Sequence, residues 1–453
     1  MSKKLKFQSS TGMHDILPEE QKYFQKICEV CEDIADFYQF QKIETPILEE
    51  TELFSKGTGL TTDIVQKQMY SLRTKGGDYL TLRPEFTPGV VRAYIEHGMF
   101  NLPQPVKLYS IGPLFRYESP QAGRYRQFHQ FNFEVLGEES SVIDAQLLQV
   151  FYNILKELKL KNLIVEINSI GDGQCRPYYK KLLISYFRSR EASLCADCRR
   201  RLRENPLRVL DCKEEKCQRI FSQAPQMVDH LCDECKAHFK EVLEFLDEIE
   251  LPYRLNPYLV RGLDYYTKTV FEIFEDSNPP EVPSRRVVGG LESTLPAEGR
   301  APDETGRGQG ALVAGGRYDG LVKLLGGRDT PASGGSGGIE RIINLIKARQ
   351  VRFKKEKTPE IFLAQLGTLA KRKSLRLLED FRKAKIQVAE SFGRDSLNAQ
   401  MARADKIGAS HTLILGQREA LEGTIIIRDM ASGRQDIIKI EKAVSEMSKR
   451  LKK

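Results

Sequence analysis

The chain has 453 residues, of which 40% are hydrophobic and 29% are charged, so its composition is that of a globular protein with enough apolar material for well-packed cores. The length predicts about three domains. The net charge of +8 permits a polyanionic partner such as nucleic acid without requiring one. No apolar run approaches the length of a membrane span, and the basic N-terminus lacks the apolar stretch of a secretion signal. We therefore expect a cytoplasmic protein whose nine cysteines are reduced thiols or metal ligands.

Near the N-terminus, a helix is predicted over 18–40, because a proline and two acids precede apolar residues that recur at helical spacing. Cys28 and Cys31 are spaced as a C-x2-C pair, but they fall within this helix and we interpret them as core-facing thiols. Residues 42–48 predict a strand, and Pro46 places it at an edge or an end of a sheet.

A polar turn is predicted in the sequence Leu-Thr-Leu-Arg-Pro-Glu-Phe-Thr over 80–87. The first residues predict a strand, and Pro84 stiffens its exit, so that Glu85 and Thr87 are held in a fixed turn. The alternative is an ordinary solvated turn. A helix is predicted directly after it, over 88–97.

The densest polar segment is a predicted pair of strands, 106–116 and 127–135, with a loop between them. Alternation along the second strand defines one face, which carries Phe128, Gln130, Asn132 and Glu134. Buried carboxylates need partners, so this mixture of a ring, amides and an acid suits a pocket better than a core. The alternative, a face open to water, is weaker because Phe128 lies on it.

Residues 172–255 differ in texture from the rest of the chain and predict an inserted helical module. They are rich in Arg and Lys and hold most of the cysteines. Two C-x2-C pairs have the spacing of zinc ligands, and they are Cys195 with Cys198 and Cys232 with Cys235. Cys212 and Cys217 lie between the pairs. A structural zinc is one interpretation and a set of reduced thiols is the other, so metal analysis would decide between them.

The sequence Arg-Gly-Leu-Asp-Tyr-Tyr-Thr-Lys-Thr-Val-Phe-Glu over 261–272 predicts a strand. A strand that only filled a core would not require Arg261, Asp264 and two phenol groups beside it. The phenols belong to Tyr265 and Tyr266. These groups suit a pocket for a small, polar and partly anionic ligand, whereas the alternative is a strand entered through a surface turn.

Residues 276–310 are poor in large apolar residues and predict a long flexible loop. In 311–321 a strand turns at paired glycines before Arg-Tyr-Asp. In 334–341 glycines lead into a helix and could let the backbone approach a phosphate. Neither the Lys-Ser/Thr of a P-loop nor a G-x-G-x-x-G sequence is found there, so those two types of nucleotide site are not supported. After a basic linker, residues 359–453 alternate predicted strands and helices, which is typical of a small α/β domain with a mixed sheet.

In this order, the motifs resemble those of the histidyl-tRNA synthetase family of class II aminoacyl-tRNA synthetases, over nearly the whole chain. They read L-R-P-E-F-T, F-R-Y-E followed by G-R-Y-R-Q-F-H-Q, R-G-L-D-Y-Y-T-K-T-V-F-E, A-G-G-R-Y-D-G-L and G-I-E-R. The resemblance implies an α+β fold with an antiparallel-sheet catalytic domain over 1–346, interrupted by the helical insertion at 172–255. It also implies a linker over 347–358 and an α/β anticodon-binding domain with a mixed sheet over 359–453.

The resemblance implies a ligase that uses ATP with Mg²⁺ to join histidine to tRNA(His) through histidyl-adenylate. The implied histidine-binding residues are Glu85, Thr87, Arg116, Gln130, Glu134, Arg261, Tyr265 and Tyr266. The implied ATP-binding residues are Arg116, Glu118, Arg124, Arg126, Phe128 and Arg341. Arg116 and Arg261 are also the implied catalytic residues, because a planar guanidinium suits the α-phosphate.

Further expectations follow from the same resemblance. Pro46 is similar to the motif 1 proline at a homodimer interface, the inserted module is expected to clamp the tRNA acceptor arm, and 359–453 are expected to read the anticodon. Motif 3 reads G-G-S-G-G, which predicts a looser adenine floor. The main alternative is a non-catalytic regulatory subunit of ATP phosphoribosyltransferase; such relatives usually lack the C-terminal domain and the Arg261 motif, and this chain has both.

Overall fold

The computed structural model describes residues 7–59, 62–120, 123–276, 310–353, 359–393 and 395–451. The chain divides into two compact units, Met1–Val351 and Arg352–Lys453. Within the described ranges, no helix is long and apolar enough to cross a membrane. The loop predicted at 276–310 lies outside the described residues, except for its two end positions.

The first unit mixes strands and helices along its whole length. Its strands are β1 (Gln41–Lys42), β2 (Leu48–Glu50), β3 (Tyr70–Arg73), β4 (Tyr79–Leu82), β5 (Val106–Phe115), β6 (Gln127–Leu136), β7 (Leu163–Ser169), β8 (Tyr253–Leu255), β9 (Thr267–Glu275), β10 (Val313–Arg317) and β11 (Ala332–Gly338). Its helices are α1 (Pro18–Phe37), α2 (Thr51–Thr58), α3 (Thr87–Glu96), α4 (Val142–Glu157), α5 (Arg176–Arg188), α6 (Ala196–Glu204), α7 (Glu215–Phe221), α8 (Asp233–Glu248), α9 (Leu321–Leu324) and α10 (Ile339–Ala348).

Eight of these strands form one sheet, in the order β1-β5-β6-β11-β10-β9-β7-β8. The six inner strands pair antiparallel, and the two outermost pairs, β1 with β5 and β7 with β8, are parallel. Strands β5 and β6 pair from Val106 opposite Leu136 to Phe115 opposite Gln127, close to the predicted bounds. The register fixes the face of each residue on the polar strand, and the predicted antiparallel sheet is confirmed.

Helix α1 begins at Pro18, with Glu19 and Glu20 in its first turn, where a proline and acids favour a helix start. Its buried residues include Ile27 and Cys31 and recur at helical spacing. The helix packs against α4 and α10, which in turn contact β11 and β6. The sheet is therefore supported by helices whose apolar stripes were visible in the sequence.

One prediction of local structure was wrong, and one strand was missed. The strand predicted over 42–48 is divided into β1 and β2, and Pro46 lies between them, because proline has no N–H to donate to a ladder. The glycine-rich segment 334–338, for which no strand was predicted, is part of strand β11, and the predicted helix follows it as α10. Strands β2, β4 and β3 form a separate three-stranded antiparallel sheet.

The inserted module is helical, as predicted. Helices α5 to α8 surround one buried cluster in which cysteines pack with Tyr179, Leu183, Phe187 and Phe221. A separate core contains residues of the eight-stranded sheet and of α3, among them Tyr94 and Val270. The module therefore has a core of its own within the first unit.

The second unit is a small α/β domain with a mixed sheet, as predicted. Its strands are β12 (Ile361–Gln365), β13 (Val388–Glu390), β14 (His411–Leu415), β15 (Thr424–Asp429) and β16 (Gln435–Lys439), in the order β13-β12-β14-β15-β16. Its helices are α11 (Thr368–Lys383), α12 (Leu397–Ile407), α13 (Gln417–Glu422) and α14 (Ala443–Arg450). Strand β12 is parallel to both neighbours, whereas β15 is antiparallel to β14 and β16.

Candidate active site

A buried acidic group lies where β6 pairs with the glycine-rich strand β11. Glu134 is fully buried and accepts hydrogen bonds from Thr87 Oγ1 at 2.5 Å and Tyr318 OH at 2.5 Å. Asn132 Nδ2 donates a third hydrogen bond to Glu134 at 3.0 Å. Burial raises the pKa of Glu134 to about 7, even though these donors stabilise its carboxylate.

Glu85 is the second buried acid, and it lies at the turn predicted between β4 and α3. Its carboxylate accepts hydrogen bonds from Thr58 Oγ1 at 2.8 Å and from Tyr265 OH at 2.7 Å. Burial raises the pKa of Glu85, and this effect outweighs the two hydroxyl donors and the positive charges of Arg116 and Arg261. The hydrogen-bond donors described at both acids are neutral groups.

Three tyrosines surround these acids. The ring centroids of Tyr265 and Tyr266 are 4.6 Å apart, and that of Tyr318 is 5.6 Å from Tyr265. All three side chains are buried. Burial raises the pKa of Tyr266 to about 12, so its phenol remains a protonated hydrogen-bond donor at neutral pH.

The glycines of β11 make room for this group. Gly334 is paired with Glu134, and a Cβ atom on Gly334 would lie 1.5 Å from Glu134 Oε2. A Cβ atom on Gly337 would lie 2.1 Å from the ring of Phe131. Two glycines of the G-G-S-G-G sequence, Gly334 and Gly337, are therefore required by side chains of β6. The looser adenine floor stays a prediction.

Arg261 precedes β9, and its Nη1 donates to Glu272 on that strand. Its guanidinium lies 5.8 Å from the ring centroid of Tyr266. Burial acts to lower the pKa of Arg261, but the carboxylate of Glu272 and other nearby groups outweigh it and raise the pKa. The Nε of Arg261 is buried and has no hydrogen-bond partner among the described residues. The side chain thus offers a charged donor to a ligand.

Arg116 follows β5 and is bound to the turn that carries Glu85. Its Nε donates to the carbonyl of Pro84 at 2.9 Å, next to Glu85 in the chain. Its guanidinium lies 5.2 Å from the ring centroid of Phe128. A cation, an aromatic ring and a buried acid are therefore held close together by main-chain and side-chain contacts.

A group of like charges lies at the start of α10. Arg341 Nη1 donates to the carbonyl of Ala311 at 2.9 Å. Burial lowers the pKa of Arg341, and the positive charges of Arg124 and Arg116 lower it further. Arg124 lies 4.0 Å from the carboxylate of Glu118. Repulsion among three arginines is relieved by a polyanion, so this arrangement suits a polyphosphate.

Two predicted site residues, Arg126 and Gln130, lie away from the buried acids' direct hydrogen bonds. Arg126 lies over the ring of Tyr117 at 4.0 Å, and its Nε donates to the carbonyl of Glu118 at 3.1 Å, so it stabilises the loop. Gln130 is half-buried on β6, where it pairs with Gly338 on the face that carries Glu134.

A cavity of about 250 Å³ adjoins Arg261 and separates the 261–266 segment from the inserted module. The module lines it with Arg176, Lys180, Glu204, Asn205, Leu207 and Arg208. Asn205 Nδ2 donates to Asp264 Oδ1 at 2.9 Å, so the two walls are in contact. Glu85 and Glu134 do not line this cavity, whereas Arg261 and Tyr266 do. The cavity therefore lies beside the buried acids and does not contain them.

The two C-x2-C pairs do not share one site, which the zinc interpretation of their spacing required. One group contains Cys195, Cys198, Cys212 and Cys217, and another contains Asp172, Cys175, Cys232 and Cys235. The two C-x2-C pairs thus belong to different groups, because α6 and α8 carry them to different places in the module. Cys175 was not considered in the sequence-based prediction.

Several residues of the site were missed from the sequence. Thr58 and Tyr318 donate to the two buried acids, and Glu272 pairs with Arg261. Tyr318 and Glu272 lie within motifs that were recognised, so their position in those motifs could have identified them as site residues. Thr58 lies in α2 outside those motifs, and no local pattern marks it.

The antiparallel sheet, with these motifs in this order along its strands, is the catalytic fold of the class II aminoacyl-tRNA synthetases. A family model described as histidyl-tRNA synthetase matches residues 12–284, and one described as an anticodon binding domain matches residues 360–450. Curated proteins named histidine–tRNA ligase are 40% identical in Dehalococcoides mccartyi (strain ATCC BAA-2266 / KCTC 15142 / 195) and 41% identical in Caldicellulosiruptor saccharolyticus. These matches cover 98% and 96% of this chain, and 100% and 98% of the relatives.

Among solved structures, apo S. aureus histidyl-tRNA synthetase matches with a TM-score of 0.76 at 33% identity, over 97% of this chain and 99% of that chain. A structure titled ATP phosphoribosyltransferase regulatory subunit/histidyl-tRNA synthetase, from Bacillus halodurans C, matches at 18% identity with a TM-score of 0.60, over 92% of this chain and 100% of that chain, which shows a shared fold alone. The chain belongs to the histidyl-tRNA synthetase family. It is a ligase that forms aminoacyl-tRNA, and the regulatory-subunit alternative is less supported.

Proposed function

We propose that this ligase joins histidine to tRNA(His) in two steps. In the first, a carboxylate oxygen of histidine attacks the α-phosphorus of ATP, which enters as its Mg²⁺ complex. The bond from the α-phosphorus to the bridging oxygen breaks, and diphosphate leaves. In the second, a hydroxyl of the tRNA 3′-terminal ribose attacks the carbonyl carbon of histidyl-adenylate, and AMP leaves.

The observation that carries this proposal is the pair of buried carboxylates with neutral donors. Glu85 and Glu134 face no cation in direct contact among the described residues, and burial makes their charge costly. The imidazole and ammonium groups of histidine supply the missing N–H donors. An amino acid without these donors would leave the acids unsatisfied, which supports discrimination of up to about 10⁴–10⁵-fold.

The histidine-binding roles follow from this pairing. Glu85 has accepting capacity beyond its two hydroxyl partners and binds the substrate directly. Glu134 already accepts three hydrogen bonds, so it also orients Thr87 for the substrate. Gln130 extends the polar face, and Tyr265 and Tyr266 close the pocket around the imidazole.

Arg261 and Arg116 bind the reacting carboxylate and α-phosphate. Glu272 pairs with Arg261, and the buried Nε of Arg261 remains a donor for the phosphate. Donors fixed in a desolvated site stabilise developing charge more than water does. No general base is required, because orientation of the carboxylate and phosphate supplies much of the rate.

The remaining predicted residues bind the rest of ATP. Phe128 stacks on adenine beside Arg116, and Glu118 accepts from the adenine amino group. Arg124 and Arg341 hold the outer phosphates, where their mutual repulsion is relieved. Arg126 supports the loop that meets the triphosphate and the acceptor stem.

The macromolecular partners extend this proposal. The inserted module holds the acceptor arm of tRNA(His), and the second unit reads the anticodon. A homodimer is supported by exposed apolar side chains near Pro46 and on the three-stranded sheet that follows it. They are Ile47, Leu48, Leu72 and Tyr79. A structural zinc belongs to the module and takes no part in the reaction.

Charging of tRNA(His) with radiolabelled histidine tests the function. We expect ATP-dependent labelling of tRNA(His) and none of a tRNA with a different anticodon and acceptor end. Light scattering of the same sample should give twice the 51.7 kDa mass of one chain. A folded protein that binds histidine and ATP but never labels tRNA would contradict the proposal.

A further inference from the structure

We propose that the inserted module binds two zinc ions rather than one, each in a preformed four-ligand site. The first site consists of Cys195, Cys198, Cys212 and Cys217. The second site consists of Asp172, Cys175, Cys232 and Cys235.

The ligand atoms of each site converge on one point. Within each group, all of the ligand atoms lie within 4.8 Å of one another. A tetrahedral zinc ion with Zn–S bonds of about 2.3 Å separates its sulfurs by about 3.8 Å. The Sγ atoms of Cys195 and Cys212 are 3.8 Å apart. Sulfur ligands in a tetrahedral arrangement favour zinc or iron–sulfur chemistry over magnesium or calcium.

The two sites repeat the same local structure. Cys195 precedes α6 with φ −66° and ψ 163°, and Cys232 precedes α8 with φ −66° and ψ 164°. The N–H of Cys195 donates to Cys217 Sγ at 3.3 Å, and the N–H of Cys232 donates to Cys175 Sγ at 3.1 Å. A helix N-terminus and N–H donors both stabilise thiolates, which are the form that binds metal. Simple apolar packing of thiols does not require this repetition.

Asp172 is oriented as a ligand by its own turn. Its Oδ1 accepts hydrogen bonds from the N–H groups of Gln174 at 2.9 Å and Cys175 at 3.2 Å. Such hydrogen bonds to a ligating carboxylate fix its direction. The carboxylate thereby reaches the three sulfurs of the second site.

Ligands of both sites are close in sequence to residues that line the cavity beside Arg261. The first site brackets the stretch that carries Asn205, which contacts Asp264. Two ligands of the second site, Asp172 and Cys175, precede α5, whose Arg176 donates to the carbonyl of Tyr266. The ions therefore hold one wall of the cavity in place. The importance of this wall for the reaction rests on the proposed function. The two metal sites themselves do not depend on that function.

The test is zinc content per chain in tag-free protein, measured by mass spectrometry after reconstitution with Zn²⁺ under reducing conditions and desalting. We expect two zinc ions per chain. Cys212→Ser and Cys175→Ser should each retain one, the double variant none, and Cys28→Ser, which changes a cysteine of α1, both. Wild-type protein with one zinc or none, or with iron in place of zinc, would overturn the proposal.

A second measurement does not depend on the folding of variants. Wild-type protein loaded with Co²⁺ should bind two ions per chain and show the intense absorption of tetrahedral cobalt with thiolate-to-metal charge transfer. Weak octahedral bands, or uptake of one ion, would contradict the proposal. Because these readouts are metal content and absorption, they can fail while the charging of tRNA(His) succeeds, and the reverse.

Discussion

Two buried acidic regions adjoin strand β10, and neighbouring residues supply a partner to each. Arg317 is fully buried and its Nε lies 3.1 Å from both carboxylate oxygens of Asp144, which also contacts His238 at 2.8 Å. The next residue, Tyr318, donates to Glu134. Burial acts to raise the pKa of Asp144, but Arg317 and then His238 outweigh it and hold the pKa well below its usual range. Burial instead raises the pKa of Glu134.

The difference teaches how to tell a structural acid from one that awaits a ligand. Asp144 has a cationic partner, Arg317, and a second hydrogen-bond partner, His238, so its charge is satisfied without a substrate. Glu85 and Glu134 have hydroxyl and amide donors, which stabilise a carboxylate less than a cation does. A buried carboxylate therefore indicates a ligand-binding site only where no cation of the protein contacts it.

The largest expected effect breaks the structural region. Asp144→Asn should lower the free energy of unfolding by about 3–5 kcal/mol, because it removes the buried carboxylate that pairs with Arg317 and leaves the partly exposed Asp319 as its ionic partner. Urea denaturation measures it, and Asp395→Asn, which removes an exposed ion pair with Lys371, is the control. At a temperature where the variant is folded, histidine activation should persist; equal stability of the two variants would contradict the assignment.

The next effect breaks the site while leaving the structural region intact. Arg261→Ala should lower histidine-dependent ATP–diphosphate exchange by about 100- to 1,000-fold, the range for loss of one fixed donor to a transition state. Arg349→Ala is a matched control, because Arg349 forms an exposed ion pair with Glu275. Near-normal exchange by a folded Arg261→Ala variant would remove Arg261 from the reaction.

A smaller effect sharpens the role of the acids. Glu85→Gln should raise the KM for histidine by about 10- to 100-fold, since a charged hydrogen bond contributes about 1.5–3 kcal/mol, and should leave the KM for ATP nearly unchanged. Glu52→Gln, at an exposed position on α2, should change neither. An unchanged KM for histidine in Glu85→Gln would assign Glu85 to the fold instead.

The smallest effect is a pH dependence that distinguishes the two regions. The pKa of Glu134 is raised from 4.5 to about 7 in the folded chain, so its charged form is disfavoured by folding. Its contribution to stability is present below pH 4.5 and is lost as pH rises through 7, by about 1 kcal/mol between pH 6 and pH 8. Glu134→Gln should remove this part of the pH dependence of unfolding, and the same slope in both proteins would refute the assignment.

The sequence predicted those parts of the site that follow from local pattern. Alternation along 127–135 placed Asn132 and Glu134 on one face, and the proline turn at 84 placed Glu85 at a strand exit; the structure has both. The glycines of 334–338 were not recognised as a strand, because glycine has low strand propensity. The neighbouring side chains of Glu134 and Phe131 explain Gly334 and Gly337.

Contacts between distant segments could not be predicted in this way. The hydrogen bond from Thr58 to Glu85 depends on how α2 packs against α3. The distribution of cysteines between two groups depends on the path of the helices in the module, since spacing identifies a C-x2-C pair but not its partners. The roles of the site residues rest on the resemblance and stay predictions.

The central claim, that the acid-lined pocket activates histidine, is tested most directly by ATP–diphosphate exchange with each of the twenty amino acids in turn. The account predicts exchange with histidine and none above background with the others. Absence of exchange with histidine from a folded, zinc-reconstituted sample, or comparable exchange with an amino acid that lacks a side-chain N–H donor, would contradict it.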